Sequence, residues 1–428
     1  MNENTVNISI KHFLTNFLMC FLPISYILGN LALNLNVLLI ILISVVTYFI
    51  NGTKLKIIFF DKVVLIYFSY ILFVGIFNYL ESFHFLKNDQ IIIKSISYLR
   101  YCFFYFAIRI LIENRYINLN IFYQACAIII LFVALDIIFQ YNFGKDIFGF
   151  EVLPRRLTGP FADELVAGGY LQRFSFFLFF LFFGLSYLKK LEPKIKFPLF
   201  CFVSVVISSG IILAGNRIPF LIFTLTVIFC FFTFKKYKAY FLTLFLITFG
   251  SLIFFVGSNL EIKKHYGIFQ TNIINMLTPF SEKNIIKFKD QKNPTPDEKN
   301  YSIIRDGKSY SLPVVHLKEF YSGIKTWSEN KFIGGGVKTF RFNCPKVFYN
   351  CNTHPHNYYL EIMSDIGLLG LMMIFYLFIY VIYTGIINNN IILSPLLVQF
   401  IAEIFPLKST GSFFTTTNSI FIFLLISI

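Results

Sequence analysis

The amino-acid sequence predicts an all-α polytopic membrane protein, and three observations carry that prediction. The 428 residues are 57% hydrophobic and only 14% charged, with a mean hydropathy of +0.70, whereas a soluble chain carries about 25% charged residues. Apolar runs of roughly 17 to 25 residues recur along nearly the whole length, and a spanning helix needs about 20 residues to cross the hydrocarbon core. Lys and Arg gather in alternate short connections, as the positive-inside rule requires. A soluble enzyme, a disordered chain and a disulfide-stapled secreted module are thereby excluded. The first apolar segment lacks a small-residue cleavage site and reads as a retained span.

Twelve spans follow in order, at about 13–29, 31–50, 59–80, 95–112, 119–139, 166–187, 197–214, 218–234, 239–257, 358–383, 390–405 and 412–428. The fourth carries Arg100 and Arg109 within its limits, and the eleventh ends on Glu403 and Pro406. With both termini cytoplasmic, the connections holding Lys54, Lys56 and Lys62, then Arg115, then Lys189, Lys190, Lys194 and Lys196, then Lys235, Lys236 and Lys238 all fall inside. The chain therefore divides into a nine-span bundle over 1–257, an outer loop domain over 258–357 and three further spans over 358–428. The loop is too long for an ordinary connection. It holds 15 Lys and Arg against 8 Asp and Glu, a surplus that suits an anionic substrate or lipid headgroups and equally describes a solvated lysine-rich loop. The formal net charge of +15 reports topology, anionic lipid or an anionic substrate, and no nucleic-acid partner is expected.

Three polar constellations fall on the outer side. Arg155 and Arg156 precede a Gly-Pro turn in LPRRLTGPFADELVAGGYLQR, residues 153–173. An arginine fork there engages phosphate bidentately or anchors the chain to headgroups. Arg217, in LAGNRIPFL, has no acidic residue within ten positions. An arginine at a membrane edge must snorkel, find a partner or face a polar cavity. His354, His356 and Asn357 open THPHNYYLEIMSDIGLLG, with Glu361 four positions beyond Asn357 and so on a similar helical face. A helix starting here would aim its first amides at a phosphate, and the histidines serve as base or as cation.

Of the seven cysteines, Cys20, Cys102, Cys126, Cys201 and Cys230 lie in apolar spans and read as small buried hydrophobes. Cys344 and Cys351 lie on the oxidising outer side, where a disulfide is expected. No CxxC or carboxylate pattern completes a zinc set with His354 and His356, so no metal site is expected.

These residues resemble the O-antigen ligase and O-antigen polymerase superfamily, bacterial inner-membrane glycosyltransferases that use undecaprenyl-diphosphate-linked glycans. The ligase pattern of His, then Asn, Ser or Gln, nine residues, Gly, two residues and Gly is met by His356, Asn357, Gly367 and Gly370, and its Arg-x-x-x-Leu pattern by Arg217 and Leu221. Two softer likenesses are RLTGPFADELVAG at 156–168 and WSENKFIGGGVKTFR at 327–341, the latter with Lys331 where many members carry Pro. The likeness spans essentially the full length.

The resemblance implies an inverting transfer at the periplasmic face, independent of metal and cofactor. Arg217 and a second loop cation would hold the lipid diphosphate; Arg305, 51 residues before His356, competes for that second place with His316 and Lys318. His356 would deprotonate the acceptor hydroxyl or hold the diphosphate. Arg155, Arg156, His354, Asn357 and Glu361 would contact substrate, while Cys344, Cys351, Gly367 and Gly370 would be structural. The expected acceptor is lipid A-core, as in a ligase, with a growing glycan, as in a polymerase, the alternative. A lipid or polysaccharide transporter is the reading from another class. It fits less well, because transporters repeat their polar positions in two halves near the midplane and here they gather at one face.

Overall fold

The computed structural model describes residues 3–52, 55–81, 89–153, 156–185, 187–277, 302–305, 308–311, 315–348, 351–388, 390–406, 408 and 411–428. Among them the fold is helical apart from one antiparallel hairpin, β1 (Ser302–Arg305) with β2 (Lys308–Ser311). Among the described residues, eight helices are long and apolar enough to cross a membrane. They include α1 (Glu3–Leu28) and α2 (Asn30–Asn51), which meet at Gly29, a one-residue link whose φ of 95° favours glycine. The third is α3 (Phe59–Glu81). The expected fourth span is made of α4 (Asp89–Tyr98) and α5 (Arg100–Glu113), interrupted at Leu99. Next come α6 (Leu119–Phe143) and, after the irregular 144–166 segment, α7 (Ala167–Phe180).

Phe174, Phe176, Phe177, Phe179 and Phe180 of α7 are all fully buried. A helix apolar on every side belongs at the centre of a bundle, and α7 packs against α6, α8 (Pro193–Leu213) and α9 (Arg217–Thr233). By contrast, Leu246, Phe249, Ile253 and Phe254 of α10 (Lys238–Ser258) are exposed, the composition of a lipid-facing surface. α11 (Leu260–Leu277) follows α10 after the single residue Asn259. The rest of the 258–357 region adds α12 (Val315–Glu329) and α13 (Phe340–Val347), where Cys344 and Cys351 form a disulfide with Cα atoms 6.0 Å apart. α12 packs on α14 (Tyr358–Asn388), so the loop region is seated on the bundle.

The last two expected spans take a different form. α15 (Ser394–Glu403) has 10 residues and α16 (Thr416–Ser427) has 12, so they rise only about 15 and 18 Å against a hydrocarbon core of about 30 Å. Neither crosses alone. The irregular backbone between them is admissible at membrane depth only where protein covers it or water reaches it, and Ile404, Lys408, Ser412, Phe413 and Phe414 are all buried.

Candidate functional site

The 31-residue helix α14 is broken at Gly367, whose φ is +70°. The break frees backbone groups on both sides, and the glycine-rich segment takes them up. Gly335 N–H donates to the Ser364 carbonyl at 3.0 Å and Gly336 N–H to Asp365 at 2.7 Å, while Leu368 N–H donates to Lys331 at 2.9 Å and Leu369 N–H to Phe332 at 3.3 Å. Tyr70 Oη donates to the Ile366 carbonyl at 2.9 Å, and Asn78 Nδ2 to that of Gly334 at 3.1 Å. The two glycine patterns of the sequence are thus the two halves of one clasp. A Cβ on Gly367 would run into the Phe332 carbonyl.

Asp365, fully buried, extends the clasp: its carboxylate accepts from Lys338 N at 2.6 Å and Phe340 N at 3.0 Å. This holds Lys338 in the left-handed region, at φ +59°. His356 is left-handed too, at φ +52°. Non-glycine residues keep such conformations only where their surroundings over-determine them.

The histidine segment lies just before α14. The His354 and His356 rings have centroids 4.3 Å apart. Asn352 Nδ2 lies 3.3 Å from His356 Nε2 and donates to Glu319 Oε1 at 2.9 Å. Asn357 is occupied by the helix start: its Oδ1 accepts from Tyr359 N and Leu360 N, and its Nδ2 donates to the Pro406 carbonyl. Glu361 turns inward, where its buried carboxylate accepts from Ser412 Oγ at 2.5 Å and Phe413 N at 2.6 Å. Asn357 and Glu361 therefore tie α14 to the 404–415 loop.

Burial, then His356, then Arg341 push the His354 imidazole down to about 4 from the ordinary 6.5. The unfolded chain binds the extra proton between those values, so this contribution to stability is complete above pH 6.5 and lost as pH falls toward 4. His354→Gln is expected to flatten the decline of the thermal midpoint between pH 6.5 and 4.5, with little effect at pH 8. Identical slopes for both proteins would contradict this assignment.

Around the histidines lies a cationic basin that sequence reasoning missed. Burial holds the Lys338 ammonium below the usual lysine range, and Lys94, Arg341 and Arg100 lower it further against the pull of Glu361. Lys94, Arg100 and Arg341 are exposed, and Arg100 Nη2 donates to Tyr101 Oη at 2.6 Å and Thr416 Oγ1 at 3.2 Å. Like charges gathered in one neighbourhood favour an anion. Lys338 and Arg341 stand within the WSENKFIGGGVKTFR stretch, a signal that was available.

A second missed cluster lies within the bundle. Arg173 of α7 forks onto Glu403, Nε to Oε2 at 3.2 Å and Nη2 to Oε1 at 2.9 Å, and Lys408 Nζ is 2.6 Å from Glu403 Oε2. Tyr358 Oη and Asn418 Oδ1 complete the network at 2.9 and 2.6 Å.

Arg217 begins α9, and its partner is another residue that the sequence did not single out. His265 of α11, buried, has Nε2 3.1 Å from Arg217 Nε and 2.8 Å from the Gly215 carbonyl oxygen. Arg156, Gly215, Glu261, His265 and Tyr266 help line a cavity of about 200 Å³ nearby; neither Arg217 nor His356 is among its lining residues. Arg155 lies outside the described residues, as do the side chains of Arg305 and His316. Lys318 is buried, 3.9 Å from Glu319.

Helix α7 relates the two places. Gly168 N–H, at its start, donates to Asn216 Oδ1 beside Arg217 at 3.0 Å. Five residues further, about 7.5 Å along the axis, Arg173 reaches Glu403 and through it Tyr358, two positions after His356. Arg217 and the histidine segment thus occupy the same end of the bundle. No family model matches the chain, and no curated protein matches it.

Proposed function

We propose that the chain is an inverting glycosyltransferase of the O-antigen ligase type, moving a glycan from undecaprenyl diphosphate to a lipid A-core acceptor at the periplasmic face of a bacterial inner membrane. The observation that carries this reading is the placement, through α7, of Arg217 and the histidine segment at one end of the bundle, beside the Lys94–Arg100–Lys338–Arg341 basin. In this reading ten segments cross, α15 and α16 enter as a half-length pair that returns to the same side, and the 258–357 region is periplasmic. The prenyl tail lies along the apolar bundle, remote from the reacting carbon.

The acceptor hydroxyl attacks C1 of the donor sugar. The C1–O bond to the diphosphate breaks, and undecaprenyl diphosphate leaves with the electron pair. Arg217 and the basin offset the charge growing on the leaving group, without metal or cofactor. His356 takes the hydroxyl proton, which requires its ring to be neutral and Nε2 to exchange the Asn352 amide for the acceptor hydroxyl.

In transfer assays with purified lipid-linked donor, Arg217→Ala is expected to cost on the order of 100-fold or more in rate and to weaken donor binding, with Arg217→Lys restoring only part. His356→Ala is expected to cost a similar factor in rate while donor binding changes little. A chelator is expected to leave wild-type transfer intact. Full transfer by the Arg217→Ala/His356→Ala protein would sink the site, and loss of wild-type transfer to chelator, restored by metal, would sink the metal-free mechanism.

A further inference from the structure

The base assigned to the transfer has a carboxyl group behind it. Glu319 of α12 is 1% exposed, and its Oε1 accepts from Asn352 Nδ2 at 2.9 Å. Lys318 Nζ stands 3.9 Å from the same oxygen, and an oxygen held beside an ammonium group accepts rather than donates. Asn352 must therefore turn its NH2 group, and not its Oδ1, toward Glu319. The same Nδ2 lies 3.3 Å from His356 Nε2. An amide nitrogen has two N–H groups and accepts nothing, so one N–H goes to the carboxyl group and the other to the ring. A protonated Nε2 would face that second N–H donor to donor. His356 Nε2 is thus the nitrogen with the lone pair, and the ring proton sits on Nδ1.

The fold holds these contacts from both sides. Gly323, one turn after Glu319 on the same face of α12, lies against the histidine segment: a Cβ there would come within 3.0 Å of Pro355 and 3.2 Å of Leu360. Asn352 follows Cys351, which the disulfide ties to Cys344 of α13. Burial is graded along the row, with Glu319 buried, His356 half-buried and Asn352 exposed, so a solute can reach the Asn352–His356 contact. His354 has no such support. Its Nδ1 meets Thr353 Oγ1 at 3.1 Å, and its Nε2 is buried without a hydrogen-bond partner among the described residues.

We infer that Glu319 is a positioning residue for the transfer: through Asn352 it fixes the His356 tautomer that leaves Nε2 unprotonated, and the Asn352 N–H marks the seat that the acceptor hydroxyl takes. The role in transfer rests on the glycosyltransferase reading; the tautomer does not. On binding, the hydroxyl replaces the Asn352 N–H at Nε2. Its proton passes to Nε2 as its oxygen bonds to C1 and the C1–O bond to the diphosphate breaks.

The tautomer is read by side-chain nitrogen NMR of the full chain labelled at its six histidines, at about pH 8, where an unperturbed imidazole is neutral. His356→Gln identifies the His356 signals by their loss. The wild type is expected to show a neutral His356 with its proton on Nδ1. Asn352→Ala, at an exposed position, is expected to lose that preference and to slow transfer about 10-fold with donor binding unchanged. Glu319→Gln is expected to do the same, because a glutamine amide lets Asn352 turn either way; it also leaves the buried Lys318 without a carboxylate and can prevent folding. Glu319→Asp, which keeps the carboxylate, is expected to recover part of both losses. A wild-type His356 proton on Nε2, or a tautomer unchanged in Asn352→Ala, would overturn the assignment whatever the transfer rate. Wild-type transfer by Asn352→Ala despite an altered tautomer, with His356→Ala still impaired, would overturn the positioning role and leave the transferase reading standing. Full transfer by the Arg217→Ala/His356→Ala protein would overturn that reading and the acceptor seat with it, while the tautomer stands.

Discussion

Gly367→Ala is expected to abolish measurable transfer and to destabilise the protein by at least about 3 kcal/mol. A non-glycine residue in the left-handed region costs about 1–2 kcal/mol. The added Cβ must also displace the Phe332 carbonyl, backbone that belongs to the clasp. Moving it loosens the hydrogen bonds that Leu368 and Leu369 make to Lys331 and Phe332, each worth about 0.5–1.5 kcal/mol. Asp365, two positions away, then loses its grip on Lys338 and Phe340, and the cationic basin loses its support. Gly370→Ala is the control, because the three atoms nearest its Cβ all belong to the Ile366 side chain and none to backbone; a cost of about 1–3 kcal/mol is expected. Thermal unfolding in detergent and the transfer assay read both variants. Equal effects at the two glycines would mean that the clasp is not what Gly367 maintains.

Glu403→Gln is expected to be comparably severe, at about 3–5 kcal/mol, because it leaves two buried cations facing each other. The side chains involved are almost sealed from water, with Glu403 0%, Lys408 5% and Arg173 12% exposed. Screening therefore relieves little of the repulsion. Adding Lys408→Met removes one of the stranded charges, and the double variant is expected to recover part of the thermal midpoint. Arg173 keeps its hydrogen bond to Asn418 and its place over the Phe421 ring, 4.9 Å from the centroid. A Glu403→Gln protein as stable as wild type would show that the carboxylate is dispensable. A double variant no better than the single would show that Lys408 is not the strained partner.

Membrane character was legible because it depends on composition summed over long segments. Local accidents such as Arg109 in the fourth expected span do not disturb it, since Asp61 from α3 neutralises that charge at 3.2 Å. The half-length helices were not legible: the apolar runs at 390–405 and 412–428 look like ordinary spans until Glu403 and Pro406 are seen to end one of them inside the protein. His356, Arg217 and the glycines stood out because they are locally unusual. Arg173 did not, because its meaning lies in a partner 230 positions away. His265 was equally hidden, an unremarked histidine in the long loop until α11 brings it to Arg217. Asn357 and Glu361 stand beside the histidines in the sequence, yet the partners they take lie in the 404–415 loop, whose path no pattern reveals.

The half-length pair α15–α16 also bears on the order in which the protein is made. A translocon releases a segment into lipid when its own apolarity is sufficient, and an acid or lysine near mid-segment costs about 2.5–3.5 kcal/mol in that partition. The 394–427 stretch carries Glu403 at the end of α15 and Lys408 just after it, and each of its two helices is too short to cross. Lipid alone gives it no reason to settle where it does. The groups that receive it, Arg173 on α7 and Glu361 on α14, are synthesised earlier. Insertion of the 394–427 pair is thus expected to depend on docking onto α7 and α14, which chain order makes first.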